Sequence, residues 1–210
     1  MTETISTILQ EIKVVPLVQA NDPATAVKIS EALIEGGLSV LEVVLRTNEA
    51  LRCLEAIVNK FPNAQIGAGT VLSASQSKEV IALGAKFIVS PGLDEPSVQV
   101  AQSSNIPIYP GVATPTELQR AWNLGLRTVK FFPAGLAGGP KMLKAFSSVF
   151  RDMRFMPTGG VSAANLAEFL AIPSVLACGG SWLTPQAAVK DGDFTAITKL
   201  AREAVSIAQQ

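Results

Sequence analysis

Eight short runs of apolar and β-branched residues recur along the 210-residue chain, at intervals of about 20–25 residues. Each interval has room for one helix and two short loops. Strands that alternate with helices predict a parallel sheet with right-handed crossovers, and eight such units favour closure into a (β/α)8 TIM barrel. The predicted strands are Lys13–Val18, Val40–Val44, Gln65–Gly67, Phe87–Ser90, Ile106–Pro110, Thr128–Phe132, Arg154–Pro157 and Val175–Cys178.

Helix signals lie between these runs. Asp22 is a good N-cap residue and is followed by Pro23, a combination typical of a helix start. The segments Ser73–Gln76 and Thr114–Glu117 each fit the capping-box pattern. Two glycines that follow a leucine and precede a strand predict helix ends in the left-handed conformation: Gly84 and Gly125.

The alternation continues through residues 1–210, which predicts a single α/β domain. Residues 1–12 are expected to form a leading N-terminal helix that covers the bottom of the barrel, and Phe194–Gln210 a closing helix. A doubly wound open sheet is the alternative architecture, but no Gly-x-Gly-x-x-Gly sequence opens the first predicted helix.

The composition narrows the possible partners and compartment. Hydrophobic residues make up 48% of the chain and charged residues 16%, and 17 basic side chains balance 17 acidic ones. This balance gives no support for a nucleic-acid or membrane partner. The first residues lack signal-peptide features, no apolar run is long enough to cross a bilayer, and two cysteines are too few for a disulfide framework. We expect a cytoplasmic enzyme that acts on a small molecule.

Histidine is absent from the sequence. A Ser-His-Asp triad and any metal site built on imidazole are therefore excluded, as is an aldolase that polarises its substrate with histidine-bound zinc. The chemistry must come from Lys, Glu, Asp, Ser, Thr, Arg and backbone groups. We expect neither a metal nor an organic cofactor.

A lysine and a glutamate interrupt two of the apolar strands. Lys130 lies in Thr128–Phe132 and Glu42 in Val40–Val44. An ammonium group that enters an apolar core unpaired usually loses its proton, and a neutral amine is a nucleophile for carbonyl carbon. Lys130 is therefore a candidate Schiff-base residue. The alternative interpretation is a lysine whose ammonium reaches the surface.

Side chains alternate between the two faces of a strand, so the residues two positions apart from Lys130 and Glu42 indicate which face each group shares. Lys130 shares a strand face with Phe132, and Glu42 shares one with Val44 and Arg46. If both faces point into the barrel, Glu42 can approach Lys130 and act as the general acid/base, while Phe132 keeps the amine dry. The alternative is that Glu42 only balances the charge of Lys130.

Four further residues or segments lie at the ends of predicted strands, where the active site of a barrel lies. Arg46 offers a planar fork for a carboxylate or phosphate, although a solvated loop arginine would look the same. Gly67–Thr70 brings small residues and a hydroxyl to a strand end. Pro157–Ser162 and Cys178–Trp182 each contain Gly-Gly, at the positions where barrels commonly hold phosphate with a short helix N-terminus; two tight turns are the alternative.

Taken together, these segments resemble the 2-keto-3-deoxy-6-phosphogluconate (KDPG) aldolase family, which is often bifunctional with 4-hydroxy-2-oxoglutarate (KHG) aldolase. The resemblance extends in the same order from Val14 to the C-terminus. It rests on Leu41–Thr47, Gly67–Val71, Ser90–Gly92, Val129–Ala134, Pro157–Gly160 and Gly179–Trp182.

The resemblance implies a homotrimeric, metal-independent class I aldolase, a lyase of the Entner–Doudoroff pathway. Its substrate would be a phosphorylated 2-keto-3-deoxy sugar acid, cleaved to pyruvate and glyceraldehyde 3-phosphate. By position, Lys130 matches the Schiff-base lysine and Glu42 the proton-transferring glutamate. The matched substrate-binding positions are Arg46 and Thr70 for the pyruvyl carboxylate, Pro91 and Phe132 for the pocket wall, Thr158 for stereochemical preference, and Gly159, Gly160, Gly180 and Ser181 for the phosphate end.

Val44 departs from the family pattern, because many relatives carry threonine there, and this position bears on substrate preference. A phosphate-binding isomerase or epimerase barrel is an alternative function, but it would not require a lysine in the sixth strand. An aldolase that prefers the galactonate epimer of the substrate is a second alternative. A non-catalytic sugar-phosphate-binding barrel is a third, and it would leave Lys130 unexplained.

Overall fold

The eight predicted strands are present and form one parallel sheet in a computed structural model that describes residues 5–210. The strands are β1 (Val14–Val18), β2 (Val40–Val44), β3 (Gln65–Gly69), β4 (Ile88–Ser90), β5 (Ile108–Val112), β6 (Thr128–Phe131), β7 (Arg154–Pro157) and β8 (Cys178–Gly180). The helices of the described residues are α1 (Ile5–Ile12), α2 (Pro23–Glu35), α3 (Ala50–Lys60), α4 (Ala74–Ala82), α5 (Glu95–Ser103), α6 (Pro115–Asn123), α7 (Gly139–Val149), α8 (Leu166–Leu170), α9 (Gln186–Asp191) and α10 (Phe194–Ala208).

The strand order is β7-β6-β5-β4-β3-β2-β1-β8. Two isolated bridges, Phe155 to Val175 and Thr158 to Gly179, bring the two ends of this order together. The sheet is therefore a nearly closed ring with helices outside it, and the predicted (β/α)8 barrel is confirmed.

The bottom of the barrel is filled by apolar side chains and covered by α1. Leu9 on α1 is fully buried in a cluster with residues of six strands or their flanks. The members of this cluster are Leu9, Val15, Val40, Phe87, Val89, Tyr109, Met156, Leu176 and Ala177. The predicted leading helix is confirmed over Ile5–Ile12, and residues 1–4 lie outside the described part of the chain.

Two predicted strands begin two or three residues too early, and β3 extends to Gly69 where Gly67 was predicted. Strand five was predicted at Ile106–Pro110 but begins at Ile108, because the Ile106 N–H still donates to Ala101 O at the end of α5. Strand eight was predicted at Val175–Cys178 but is Cys178–Gly180, because Val175 closes a turn onto Ile172. In both places the apolar run begins before the strand does, so hydrophobicity alone places the strand too early.

Helix termini follow the local sequence signals. Asp22 caps α2, and Gly84 and Gly125 adopt φ of +91° and +82° at helix ends. Thr114 and Glu117 form a complete capping box at α6. The predicted box at Ser73–Gln76 is only half formed, because the Gln76 side chain accepts from Leu72 N instead of Ser73 N.

Both cysteines, Cys53 and Cys178, are free and buried. Burial raises the pKa of the Cys178 thiol, and burial together with the nearby Asp22 and Glu49 raises that of Cys53. Within residues 5–210, every helix falls short of the length and apolar character that a bilayer crossing requires.

We expect the Glu117 carboxylate to stabilise the fold only above mildly acidic pH. Hydrogen bonds from Ala113 N and Thr114 hold its pKa below the ordinary value of 4.5. Because the folded pKa is lowered, the stabilisation is present above pH 4.5 and is lost as the pH falls through the folded pKa. At neutral pH, Glu117→Gln should lower the free energy of unfolding by roughly 0.3–1 kcal/mol.

Urea titrations between pH 7 and 3 test this prediction. The difference between the wild type and Glu117→Gln should shrink toward pH 3, whereas Glu55→Gln on the exposed face of α3 should have little effect on stability. A difference for Glu117→Gln that stays constant with pH would contradict the prediction.

Candidate active site

Lys130 and Glu42 meet inside the barrel. Their strands, β6 and β2, lie four places apart in an eight-stranded ring, so the two side chains approach from opposite walls. Lys130 Nζ lies 3.7 Å from Glu42 Oε1, and the side chains are 3% and 0% exposed. The predicted approach of the two groups is confirmed, and both are removed from bulk water.

The Glu42 carboxylate accepts no hydrogen bond from the described residues. At 3.7 Å the contact with Lys130 is an ion pair that is longer than an ordinary N–H···O hydrogen bond. Both oxygens therefore keep free lone pairs inside the barrel. A carboxylate of this kind can accept a proton from a ligand hydroxyl or from water.

The Phe132 ring covers the amine from one side. Lys130 Nζ lies 5.0 Å from the ring centroid, within the range of a cation–π contact. Phe132 is half-buried and directly follows β6, at the end of the barrel where the strands finish. It can limit the access of water to Lys130, as the sequence predicted.

Arg46 and Thr70 are hydrogen-bonded to each other at the ends of β2 and β3. Arg46 Nε donates to Thr70 Oγ1 over 3.0 Å, which leaves both terminal nitrogens of the guanidinium for a ligand. Thr70 has φ of +58°, a left-handed conformation that is rare for a β-branched residue. Such conformations are concentrated at functional sites, where surrounding structure holds them.

A cleft of about 660 Å³ opens beside this pair, at the ends of β8, β1 and β2. Its walls include Leu17, Val44, Arg46 and Ser181. Val44 lies two residues beyond Glu42 on the same face of β2, so Glu42 is one pleat deeper in the barrel. The ion pair therefore lies below the level of the cleft and is reached from this open end.

The Gly159-Gly160 segment forms an open loop after β7. Both residues have positive φ, +85° and +83°, and neither backbone N–H donates to an acceptor within residues 5–210. The loop is fixed to the segment after β6 by two bonds, Ala134 N to Thr158 O and Gly135 N to Gly159 O, each 2.8 Å. Two free N–H groups on a held backbone suit an anion.

The second Gly-Gly pair is different from the prediction. Gly179 and Gly180 were predicted in a loop but are buried residues of β8, and neither has positive φ. The bare Cα of Gly179 makes room for Thr158, and that of Gly180 for the ring of Trp182. Ser181 follows the strand, is exposed and lines the cleft, so the hydroxyl remains available to a ligand.

The short helix α8 begins at Leu166, and its N-cap residue Asn165 donates from Nδ2 to Gly160 O over 2.9 Å, whereas α9 begins at Gln186. A helix N-terminus thus lies close to the Gly159-Gly160 loop, and its part in a phosphate cradle stays a prediction. The loop backbone and the Ser181 hydroxyl are the available anion-binding groups.

Pro91 and Thr158 lie close to the ion pair in the strand register. The carbonyl of Pro91 occupies the space that a side chain at Gly111 would take, and Gly111 pairs with Lys130. Thr158 follows β7, is 4% exposed and directs its hydroxyl toward Met156 O, 3.4 Å away. Thr158 thus follows β7, which is next to β6, and Pro91 follows β4, which is next to β5.

Sequence reasoning missed the contribution of β1 and that of Thr184 in the loop after β8. Leu17 and Gln19 line the cleft, and Thr184 Oγ1 donates to Leu17 O over 2.7 Å, joining the loop after β8 to β1. The available signal was Gln19, a polar residue directly after an apolar strand. The Thr184 contact joins residues that are 167 positions apart, and no local pattern indicates it.

Comparison with known proteins agrees with this geometry. Residues 5–200 match the family model described as KDPG and KHG aldolase. The chain belongs to this family. It is 48% identical over 198 residues to the KHG/KDPG aldolase of Escherichia coli, covering 94% of this chain and 93% of that protein. The 2-dehydro-3-deoxy-phosphogluconate aldolase of Dickeya dadantii is 46% identical, with 95% and 93% covered.

Solved structures of the same family superimpose closely. The KDPG aldolase of Legionella pneumophila, with pyruvate captured as a covalent carbinolamine intermediate, has a TM-score of 0.93 at 40% identity, covering 97% of this chain and 99% of that one. The Zymomonas mobilis KDPG aldolase with 3-phosphoglycerate has a TM-score of 0.90 at 40% identity, with 97% and 96% covered.

We expect each member of the buried ion pair to depend on the other for stability. Lys130→Met leaves the Glu42 carboxylate buried without a partner and should lower the free energy of unfolding by about 3–5 kcal/mol. The double variant Glu42→Leu/Lys130→Met should recover most of this loss, because both charges are gone and the volume is kept. Chemical denaturation of the wild type, both single variants and the double variant measures the effect. Additive losses in the double variant would contradict it.

Proposed function

We propose that the protein is a class I aldolase that cleaves 2-dehydro-3-deoxy-6-phosphogluconate to pyruvate and glyceraldehyde 3-phosphate, with Lys130 as the Schiff-base residue. The observation that carries the proposal is the buried contact between Lys130 and Glu42, which places an amine and a proton-transfer group 3.7 Å apart in a dry barrel. The membership of the family and the carbinolamine described for the Legionella pneumophila enzyme support it.

Imine formation begins when the Lys130 ammonium gives a proton to Glu42 and the resulting free amine attacks the C2 ketone of the substrate. Glu42 returns this proton to the C2 oxygen, then takes up one from the attached nitrogen and donates it to the C2 hydroxyl, so the carbinolamine loses water. The product is an iminium ion that joins Nζ to C2. The apolar walls and Phe132 limit the water available to reverse this step.

Carbon–carbon cleavage uses the iminium as an electron sink. Glu42 removes the proton from the C4 hydroxyl, the C3–C4 bonding pair moves toward the iminium nitrogen, and C4 leaves as an aldehyde. The remaining enamine takes a proton at C3 and is hydrolysed to pyruvate and free Lys130. The free lone pairs of Glu42 support this role, because its acceptor capacity is not used by neighbouring residues.

The two charged ends of the substrate are assigned to opposite sides of the site. Arg46, whose Nε donates to Thr70 Oγ1, binds the pyruvyl carboxylate. The free N–H groups of Gly159 and Gly160 bind the phosphate together with Ser181. Anchors at both ends hold the C3–C4 bond in line with the amine. Pro91 and Phe132 line the pocket, Thr158 contributes to stereochemical preference, and Gly180 lies at the phosphate end beside Ser181.

A second substrate, 4-hydroxy-2-oxoglutarate, is proposed for the same site and would give pyruvate and glyoxylate. The bifunctional name of the 48% identical Escherichia coli relative supports it. The same Lys130 and Glu42 serve both substrates, because the reacting atoms C2 to C4 are equivalent. No part of the proposed sequence of steps uses a metal or an organic cofactor.

The protein is further proposed to act in the cytoplasm as a homotrimer, with residues 1–210 forming one domain. Free, buried cysteines are compatible with a reducing compartment. The trimer rests on family resemblance, and sedimentation equilibrium is the measurement that tests it. No nucleic-acid or membrane partner is proposed.

We expect borohydride to trap pyruvate on Lys130 alone. Reduction converts the imine to a stable secondary amine, and peptide mass mapping then locates the adduct. Lys130→Arg keeps the charge but cannot form this imine, so it should lose both the adduct and detectable turnover. An adduct on another lysine, or none in folded wild-type protein, would refute the proposed mechanism.

We expect Ser181→Ala to weaken the binding of the phosphorylated substrate selectively. Removing one hydrogen bond to a charged group costs about 1.5–3 kcal/mol, or roughly a 10- to 100-fold rise in KM for the phosphorylated substrate. Steady-state kinetics with 4-hydroxy-2-oxoglutarate, which has no phosphate, provides the control and should change little. Equal losses with both substrates would contradict the assignment of Ser181 to phosphate.

A further inference from the structure

The carboxylate of Glu42 lies directly over the bare Cα of Gly69 on the neighbouring strand. A side chain at position 69 would overlap Glu42 Oε1, and its Cβ would lie 2.6 Å from Cδ and from Cγ of the same residue. These distances are shorter than any real Cβ contact allows. The space that Glu42 occupies therefore exists only because residue 69 has no side chain.

Backbone conformation does not explain this glycine. Gly69 is the last residue of β3, pairs with Val44 and lacks the positive φ that favours glycine elsewhere in the chain. Its carbonyl accepts from Leu45 N over 2.8 Å, as any strand residue can. What position 69 requires is an empty volume beside the carboxylate.

We propose that Gly69 is a positioning residue for the proton-transfer group of the reaction. Glu42 accepts no hydrogen bond from the described residues, so only its charge contact with Lys130 and the shape of the surrounding walls fix the carboxylate. Gly69 provides the wall that the carboxylate rests against. An alanine there would rotate the flexible end of Glu42 away from Lys130 while the strands keep their places.

The same arrangement recurs on the opposite side of the barrel. Thr158 lies over the bare Cα of Gly179 on β8, where a Cβ would overlap Oγ1 and lie 3.0 Å from the threonine Cβ. In both cases a polar side chain of the site occupies the space left by a glycine on the next strand. This recurrence supports a positioning role for Gly69.

Gly67 offers a matched control on the same strand. It precedes Gly69 by two residues and shares its face of β3, but a Cβ there would lie 2.5 Å from ring atoms of the fully buried Phe87. The Phe87 ring cannot move as cheaply as the end of a glutamate side chain. Gly67 is the register partner of Glu42, and the atoms nearest to its added Cβ belong to Phe87, whereas the added Cβ at Gly69 meets Glu42 itself.

The inference rests on the proposed function. It predicts that Gly69→Ala lowers activity more than Gly67→Ala does, whereas Gly67→Ala lowers thermal stability more. Gly69→Ala should lower kcat on the order of 100-fold, the effect of displacing a catalytic group by about 1 Å. KM should stay within about threefold, because the substrate anchors are unchanged. Gly67→Ala should lower the Tm further than Gly69→Ala does, yet keep kcat of the folded protein within about threefold of the wild type.

Kinetics and thermal melting of the two variants, with pyruvate trapping on the wild type, separate the possible results. A kcat for Gly69→Ala close to that of the wild type, or losses in kcat that follow losses in Tm in both variants, would overturn the positioning role. If the wild type traps pyruvate on Lys130 and either result is seen, only this inference fails. If the wild type traps none, the proposed function fails first.

A variant that does not fold also decides the question. Should Gly69→Ala fail to accumulate as folded protein, the double variant Glu42→Ala/Gly69→Ala removes the overlapping carboxylate. Recovery of cooperative thermal unfolding in the double variant supports the contact between residue 69 and Glu42 as the reason for the glycine. Failure of the double variant to fold would place the conflict elsewhere and overturn the proposal.

Discussion

The structure depends on how two charges are accommodated inside a barrel whose interior is otherwise mainly apolar. Neither Lys130 nor Glu42 can remain buried alone without a large desolvation cost, so each charge requires the other as its partner. The remaining walls must leave room for both groups and supply no competing donor or acceptor. Glycines on β3 and β5 beside the pair meet this need, because they remove side chains where the carboxylate of Glu42 and the carbonyl of Pro91 must lie.

The two ends of the barrel therefore differ in polarity. Below the ion pair, α1 and the apolar cluster around Leu9 exclude water and provide the stability that a functional interior does not. Above it, side chains and backbone groups with free hydrogen-bonding capacity face the opening: the guanidinium of Arg46, the loop N–H groups of Gly159 and Gly160, and the hydroxyl of Ser181. In the proposed reaction, substrate charge is held at the rim and the bond is cleaved in the layer beneath.

The sequence predicted the barrel and the reacting pair because both appear as strong local patterns. A charge inside an apolar strand stands out without any knowledge of its neighbours, as Lys130 and Glu42 did. Glycine is harder to interpret. Gly159-Gly160 and Gly179-Gly180 look alike in the sequence, yet the first pair forms an open loop with positive φ and the second lies in β8 against Thr158 and Trp182. What distinguishes them is long-range packing, which also hid the contact between Thr184 and Leu17.

The unpaired oxygens of Glu42 connect stability with catalysis. A buried acceptor without a donor costs free energy, and in this fold that cost is carried by the residue with the most chemistry to perform. A substrate hydroxyl or a water molecule that donates to Glu42 removes the penalty at the moment when proton transfer begins. A permanent protein donor would have stabilised the empty enzyme by occupying the same lone pairs. Within the described residues the lone pairs of Glu42 therefore remain available for the proposed proton transfer, and the charge contact with Lys130 holds the carboxylate inside the barrel.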